Sequence, residues 1–230
     1  MNPLHIVVLD RDTLVNRPFD FDFPHTLSSY GTTEAHETLE RIRGADIVIT
    51  NKVVISAQAF SENPQLKLVA VTATGVNNVD VEAAKQNGTA VCNIRAYGNE
   101  SVAEHAFMMM ITLMRNLPAY QRDVAAGLWE NSPFFCHLGA PMRDLNGKTL
   151  AIFGRGNIGK TLATYAQAFK MNVVFAEHKN AQSVRDGYVS FDEAIRSADV
   201  VSLNCPLTPQ TANMIGEAEL QQMKPGAILI

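Results

Sequence analysis

Leu150-Ala151-Ile152-Phe153-Gly154-Arg155-Gly156-Asn157-Ile158-Gly159 is an apolar run feeding directly into a GxGxxG turn. A helical pattern continues through Phe169, and a second apolar run, Val173 to Ala176, leads to an acid, Glu177. Glycines alone are a weak signal; strand, glycine turn, helix, strand and an acid roughly 20 residues on form a βαβ dinucleotide-binding fingerprint. Each glycine has a physical task. Gly154 permits the tight turn, Gly156 lets backbone approach a pyrophosphate, and Gly159 lets helix and strand pack closely. The anion then meets unpaired N–H groups and the positive end of the helix dipole, so no lysine is required. Arg155, Asn157 and Ile158 complete the turn and enter the expected cofactor site with the glycines. Glu177, closing the second strand, can accept hydrogen bonds from ribose hydroxyls and repel a 2′-phosphate; the alternative is a solvated carboxylate at a strand end. NAD is therefore favoured, and NADP stays open because His178 and Lys179 would offset part of that repulsion.

Outward from this unit the rhythm repeats. Short apolar runs at Ile6 to Leu9, Ile47 to Ile49, Leu66 to Val71, Ala90 to Cys92, Val200 to Leu203 and Ala227 to Ile230 alternate with segments of helical period. Runs without polar alternation are strands covered on both faces, which predicts a parallel α/β protein. Ile42-Arg43-Gly44-Ala45-Asp46-Ile47-Val48 echoes Ile195-Arg196-Ser197-Ala198-Asp199-Val200-Val201, either because two similar domains repeat or because helix-to-strand junctions look alike. Ser101 and Glu104 have capping-box spacing before the apolar run Ala106 to Met114, so a long helix is expected to start there, with Pro118 interrupting or following it. Ser190 and Glu193 repeat that spacing before a short helix ending near Ala198. Trp129 to Arg143 reads as loop. The junction falls near Tyr97 to Ser101, giving domains 1–98 and 99–230.

At 230 residues, 47% hydrophobic and 18% charged, the chain is an ordinary globular protein of two-domain size. A net charge of -4 offers nothing to phosphate backbones or anionic lipid, so a small-molecule ligand is expected rather than nucleic acid or membrane. Three widely spaced cysteines, Cys92, Cys136 and Cys205, suit neither a disulfide framework nor a metal site. No export leader is read in Met1 to Asp10, and a cytoplasmic location is expected.

Five ordered segments carry a family resemblance: Val71 to Asp80, Ser101 to His105, Gly154 to Gly159, Cys205-Pro206-Leu207-Thr208-Pro209-Gln210-Thr211, and Met223 to Ile230. Together the chain resembles the D-isomer-specific 2-hydroxyacid dehydrogenases. Within them it is most similar to bacterial glycerate dehydrogenases (hydroxypyruvate reductases), through Gly127-Leu128-Trp129, Phe135-Cys136 and Ala176-Glu177-His178-Lys179; phosphoglycerate dehydrogenases share the general motifs. The resemblance implies two Rossmann-like or flavodoxin-like parallel-sheet domains, the N-terminal one for substrate and the second for NAD, with the active site between them. It assigns the substrate carboxylate to backbone N–H groups of the loop holding Thr74, Gly75 and Val76, an ordinary strand-to-helix turn being the alternative, and gives Lys52 a substrate-facing place, a solvated surface lysine being the alternative. Val102, Cys205, Pro206 and Thr211 match positions near nicotinamide and its ribose. Cys205 is not expected to be a nucleophile, since hydride transfer needs no covalent step.

The same resemblance implies an arginine on the substrate carboxylate, a histidine exchanging the proton and a glutamate supporting it. None has a match in residues 1–230, so the second domain is expected to be truncated in its C-terminal part and these residues to bind NAD without turnover. A noncatalytic NAD-sensing module is the alternative class. His105 is read as structural, His137 has no support as a general acid, and Met108 to Met110 is read as adaptable core filling. A homodimer is implied by relatives, with Val102 to Leu128 as the expected interface.

Overall fold

The computed structural model describes residues 2–14 and 18–230; Met1 and residues 15–17, which fall within the expected substrate domain, lie outside the described residues. The chain divides into two compact units, Met1–Tyr97 and Gly98–Ile230. Among the described residues no helix is long and apolar enough to cross a membrane.

In the first unit, β1 (Leu4–Val8), β2 (His25–Ser29), β3 (Ile47–Thr50), β4 (Leu68–Val71) and β5 (Ala90–Asn93) form a parallel sheet in the order β2-β1-β3-β4-β5. Val7, Val48, Val69 and Val71 bury one face against α1 (Thr38–Arg41), α2 (Ala57–Ser61) and α3 (Val81–Asn87), through Leu39, Ala59, Phe60 and Ala84, while Ile6, Val8 and Ile49 bury the other under Phe19, Phe21 and Phe23. β2 is the strand the apolar pattern does not reveal. Its sequence, His-Thr-Leu-Ser-Ser, sits at a sheet edge where side chains are exposed or half-buried, so no hydrophobic run is needed.

In the second unit, β6 (Thr149–Phe153), β7 (Asn172–Ala176), β8 (Val200–Leu203) and β9 (Ile228–Leu229) order as β7-β6-β8-β9. Leu150, Ile152 and Val200 enter one core; Ala151, Phe153 and Val201 enter the other, which is why these strands lack polar alternation. Two helices cover the first core: α4 (Asn99–Met114), through Ala103, Ala106, Met110 and Met114, and α6 (Asn157–Ala168), through Leu162, Ala163 and Ala166. Their apolar positions recur at helical period.

The echoed segments are a structural repeat. β3 lies beside β1 as β8 lies beside β6. Asp46 accepts the N–H of His5 through Oδ2 at 2.9 Å, and Asp199 accepts the N–H of Thr149 through Oδ2 at 2.9 Å. Each carboxylate also pairs with lysine, Asp46 with Lys67 at 2.8 Å and Asp199 with Lys224 at 3.2 Å. Both carboxyls titrate below their ordinary value. Hydrogen bonding from Lys67 is the main cause for Asp46; at Asp199 the Thr149 N–H and Lys224 outweigh burial, which alone would push it up.

Three local expectations are corrected. α4 starts at Asn99 with Gly98 as N-cap and no side-chain cap, so Ser101 and Glu104 lie inside the first turns and form no capping box. Of the three methionines only Met110 fills core; Met108 is exposed. His105 is an exposed position on α4 rather than a packed one. Elsewhere, Ser190 caps α7 (Phe191–Ser197) by accepting the Glu193 N–H at 3.2 Å. Pro118 occupies the first turn of a separate helix, α5 (Leu117–Ala125), after a left-handed Asn116 ends the previous run, and 129–143 contains neither helix nor strand.

Candidate functional site

A cleft of about 770 Å³ opens at the C-terminal ends of β6, β7 and β8, the edge where open α/β sheets take ligands. The glycine turn forms its floor. Gly154 has φ +111°, and a Cβ there would lie 2.7 Å from the Asn204 carbonyl, so only glycine lets this turn sit against the end of β8. A Cβ on Gly159 would lie 2.1 Å from the Gly154 carbonyl oxygen and 3.1 Å from the Ile152 side chain, so α6 rests directly on β6. Gly156 differs: a Cβ there would meet no atom within 4 Å. It caps α6 and, as glycine, brings no side-chain hydrogen bond to the first helical N–H groups. Two glycines are thus demanded by the fold, whereas the third is free of the protein and fits the approach of an anion such as a pyrophosphate.

Of the expected cofactor residues, Gly154, Arg155, Gly156, Glu177, Cys205, Pro206 and Thr211 line this cleft. Gly159 is buried beneath it, and Ile158 packs into the core beside α4. Val102 lines an adjoining cleft of about 370 Å³ with His105 and Ile230, which meets the larger one at Asn204. Thr211 donates through Oγ1 to the Pro206 carbonyl at 2.6 Å and so closes the loop after β8. Burial raises the Cys205 thiol above its ordinary value, which keeps it protonated and a poor nucleophile.

Glu177 directly follows β7 and is 3% exposed. Its cover is the loop 178–188, and Arg185 within that loop grips both oxygens, Nε to Oε2 at 2.7 Å and Nη2 to Oε1 at 2.7 Å. Arg185, assisted by the His178 N–H, holds the Glu177 carboxyl down at about 2. The solvated-carboxylate alternative therefore does not apply. Nor does Lys179 neutralise Glu177: it pairs with Glu219 at 2.7 Å and donates to the Met214 carbonyl at 3.1 Å. Arg185 escaped the sequence reading because it lies eight residues beyond the acid, inside an irregular segment without periodicity.

In the first unit, the loop of Lys52 follows β3 and the loop of Thr74, Gly75 and Val76 follows β4, so adjacent parallel strands carry them to the same sheet edge. The Lys52 side chain is exposed. A residue that sequence reasoning passed over fixes its loop: Asp10, 3% exposed at the end of β1, accepts the N–H groups of Asn51 at 2.9 Å, Lys52 at 2.6 Å and Val53 at 3.3 Å. Thr74 is tied by its carbonyl to the Asn93 amide at 2.7 Å.

Residues 107–230 match the family described as D-isomer specific 2-hydroxyacid dehydrogenase, NAD binding domain. The chain belongs to this family. Its cofactor is NAD. A 2-hydroxyacid dehydrogenase homologue in Haemophilus influenzae is 41% identical, the match covering 99% of this chain and 73% of that protein. The glycerate dehydrogenase of Methylorubrum extorquens is 40% identical over 98% of this chain and 71% of its own length. Among solved structures, the D-lactate dehydrogenase of Aquifex aeolicus, complexed with NAD and lactic acid, has a TM-score of 0.77 and 27% identity, covering 98% of this chain and 67% of that one. The family's two parallel-sheet α/β domains are those seen here.

Proposed function

We propose that the protein interconverts a D-2-hydroxy acid and its 2-keto acid, with D-glycerate and hydroxypyruvate as the pair. The observation that carries this is the glycine turn with a vacant Cβ position at Gly156, facing a cleft that ends at Glu177, in a chain 40% identical to a glycerate dehydrogenase. In this reading residues 99–230 hold the cofactor and residues 1–98 receive the substrate. When bound, the nicotinamide supplies hydride chemistry; the chain's own residues bind and orient. The α6 N-terminus and the Gly156 backbone would receive the pyrophosphate, and the loop of Cys205, Pro206 and Thr211, with Val102, would border the nicotinamide end. Thr74, Gly75 and Val76 would offer N–H groups to the substrate carboxylate, with Lys52 on the neighbouring loop adding positive charge at the same sheet edge.

The protein is read as a cytoplasmic homodimer. Met108, Leu113, Leu117 and Val124 are exposed apolar side chains on α4 and α5, within the expected interface 102–128. Sedimentation should give about twice the chain's 25.2 kDa. The functional test follows NADH absorbance with hydroxypyruvate, glyoxylate and 3-phosphohydroxypyruvate, using the gene's whole reading frame. Fastest consumption with hydroxypyruvate supports the proposal. A preference for 3-phosphohydroxypyruvate would make it a phosphoglycerate dehydrogenase, and no consumption with any of the three would refute the dehydrogenase reading.

A further inference from the structure

The cofactor reading gives Glu177 the acceptor's part at the adenosine ribose, yet its carboxylate has no acceptor position left. A carboxylate offers about four such positions. Oε1 takes the His178 N–H at 2.8 Å and Arg185 Nη2 at 2.7 Å; Oε2 takes Arg185 Nε at 2.7 Å and the Arg185 N–H at 3.1 Å. What the cleft presents beside Glu177 is the rest of the Arg185 guanidinium, a planar fork of about five N–H donors of which Glu177 occupies two.

The fork is held in place from a second side. Arg185 stacks on Tyr188 with its guanidinium carbon 4.2 Å from the ring centre, and Arg155, from the glycine turn, approaches the same ring at 5.3 Å and Phe175 at 4.9 Å. The turn joining them is built for this arrangement. The Tyr188 N–H donates to the Arg185 carbonyl at 3.1 Å, and Gly187 has φ +74°. It is this φ that calls for glycine, and the Arg155 guanidinium lies against the turn, Nη1 being 2.9 Å from where a Gly187 Cβ would stand. Two guanidinium groups thus line one wall of the cleft, around a carboxylate already neutralised.

We infer that Arg185, braced by Glu177 and Tyr188, is the residue that meets the adenosine 2′ position, and that the site accepts NADP as well as NAD. The inference rests on the cofactor reading above. A bare carboxylate at this place donates nothing and repels a phosphate; a guanidinium donates to a hydroxyl or to a phosphate alike, and Arg155 adds a second positive charge on the same wall. Glu177 then acts as the anchor of Arg185 rather than as the group that rejects the phosphate.

The test is a fluorescence titration of the full chain with NADH and with NADPH, for wild type and Arg185→Gln. The expected result is a wild-type Kd for NADPH within about tenfold of that for NADH, with R185Q weakening NADPH at least about tenfold more than NADH, the scale of one lost charge-assisted hydrogen bond. A merely structural role for Arg185 would move both nucleotides by the same factor. The inference is overturned if wild type binds NADH but takes NADPH more than about tenfold more weakly, or if R185Q shifts both equally. The wild-type ratio decides whether or not R185Q folds. Absence of binding by both nucleotides would instead refute the cofactor site itself.

Discussion

Two alanine substitutions three residues apart should have opposite consequences. At Gly159, a Cβ would be more than an ångström inside ordinary contact, 2.1 Å from the Gly154 carbonyl against the usual 3.4 Å or more. The obstacle is backbone, so α6 has to retreat from β6, loosening Leu162, Ala163 and Ala166 against Leu150 and Ile152. Overpacking of this kind costs about 3 kcal/mol, which for a unit of this size lowers Tm by about 10 °C. At Gly156 the same methyl meets nothing and the φ of -78° suits any residue. Only the poorer N-cap quality of alanine counts there, about 0.5–1 kcal/mol. Cofactor affinity should reverse the order, because the Gly156 methyl stands where the pyrophosphate must approach; losing one or two charge-assisted hydrogen bonds weakens NADH about 10- to 100-fold. Thermal unfolding by circular dichroism and NADH fluorescence titration read the two effects separately. G156A binding NADH as tightly as wild type, or G159A melting with wild type, would refute this division of roles.

Other expectations follow from the charge arrangement. Glu177 is lowered from 4.5 to about 2, and Asp46, Asp199 and Glu219 are also lowered, so their contributions are present above the ordinary carboxylate range and lost as pH falls toward 2. Tm should hold level down to about pH 5 and drop steadily below about 4.5, less steeply in R185Q; a Tm unchanged to pH 2 would contradict the pairing. Asp10→Ala leaves the 51–53 loop without its acceptor and should cost about 2–4 kcal/mol by urea unfolding, against less than about 0.5 if the loop holds itself. Asp46→Ala and Asp199→Ala should each cost about 1–2 kcal/mol in the same assay; a cost at only one of them would contradict their equivalence in the two sheets.

The sequence carried the architecture wherever burial is two-sided. Among the described residues eight strands announce themselves as largely apolar runs, the central ones because both faces of their sheets are covered, whereas β2, a polar edge strand, leaves no such signal. The glycine turn was legible because backbone geometry there forbids side chains at Gly154 and Gly159. Ser101 and Glu104 misled because a capping box needs an N-cap outside the helix, and the chain turns helical at Asn99 before reaching them. Whether 42–48 and 195–201 were a repeat was undecidable from the letters. It is settled by Asp46 and Asp199 making the same hydrogen bond to the opening of each unit's first strand. Asp10 and Arg185 were invisible for a shared reason: each acts on backbone or charge brought close only by folding, Asp10 some 41 residues from Asn51 and Arg185 across an irregular loop from Glu177.

The central claim, a dinucleotide pocket between the glycine turn and the Glu177 loop, is tested most directly by calorimetric titration of the wild-type chain with NADH, after a sharp thermal transition has shown the protein to be folded. One saturable site per chain is predicted. A folded protein that releases or absorbs no heat with NADH and leaves the nucleotide's fluorescence unchanged would contradict it.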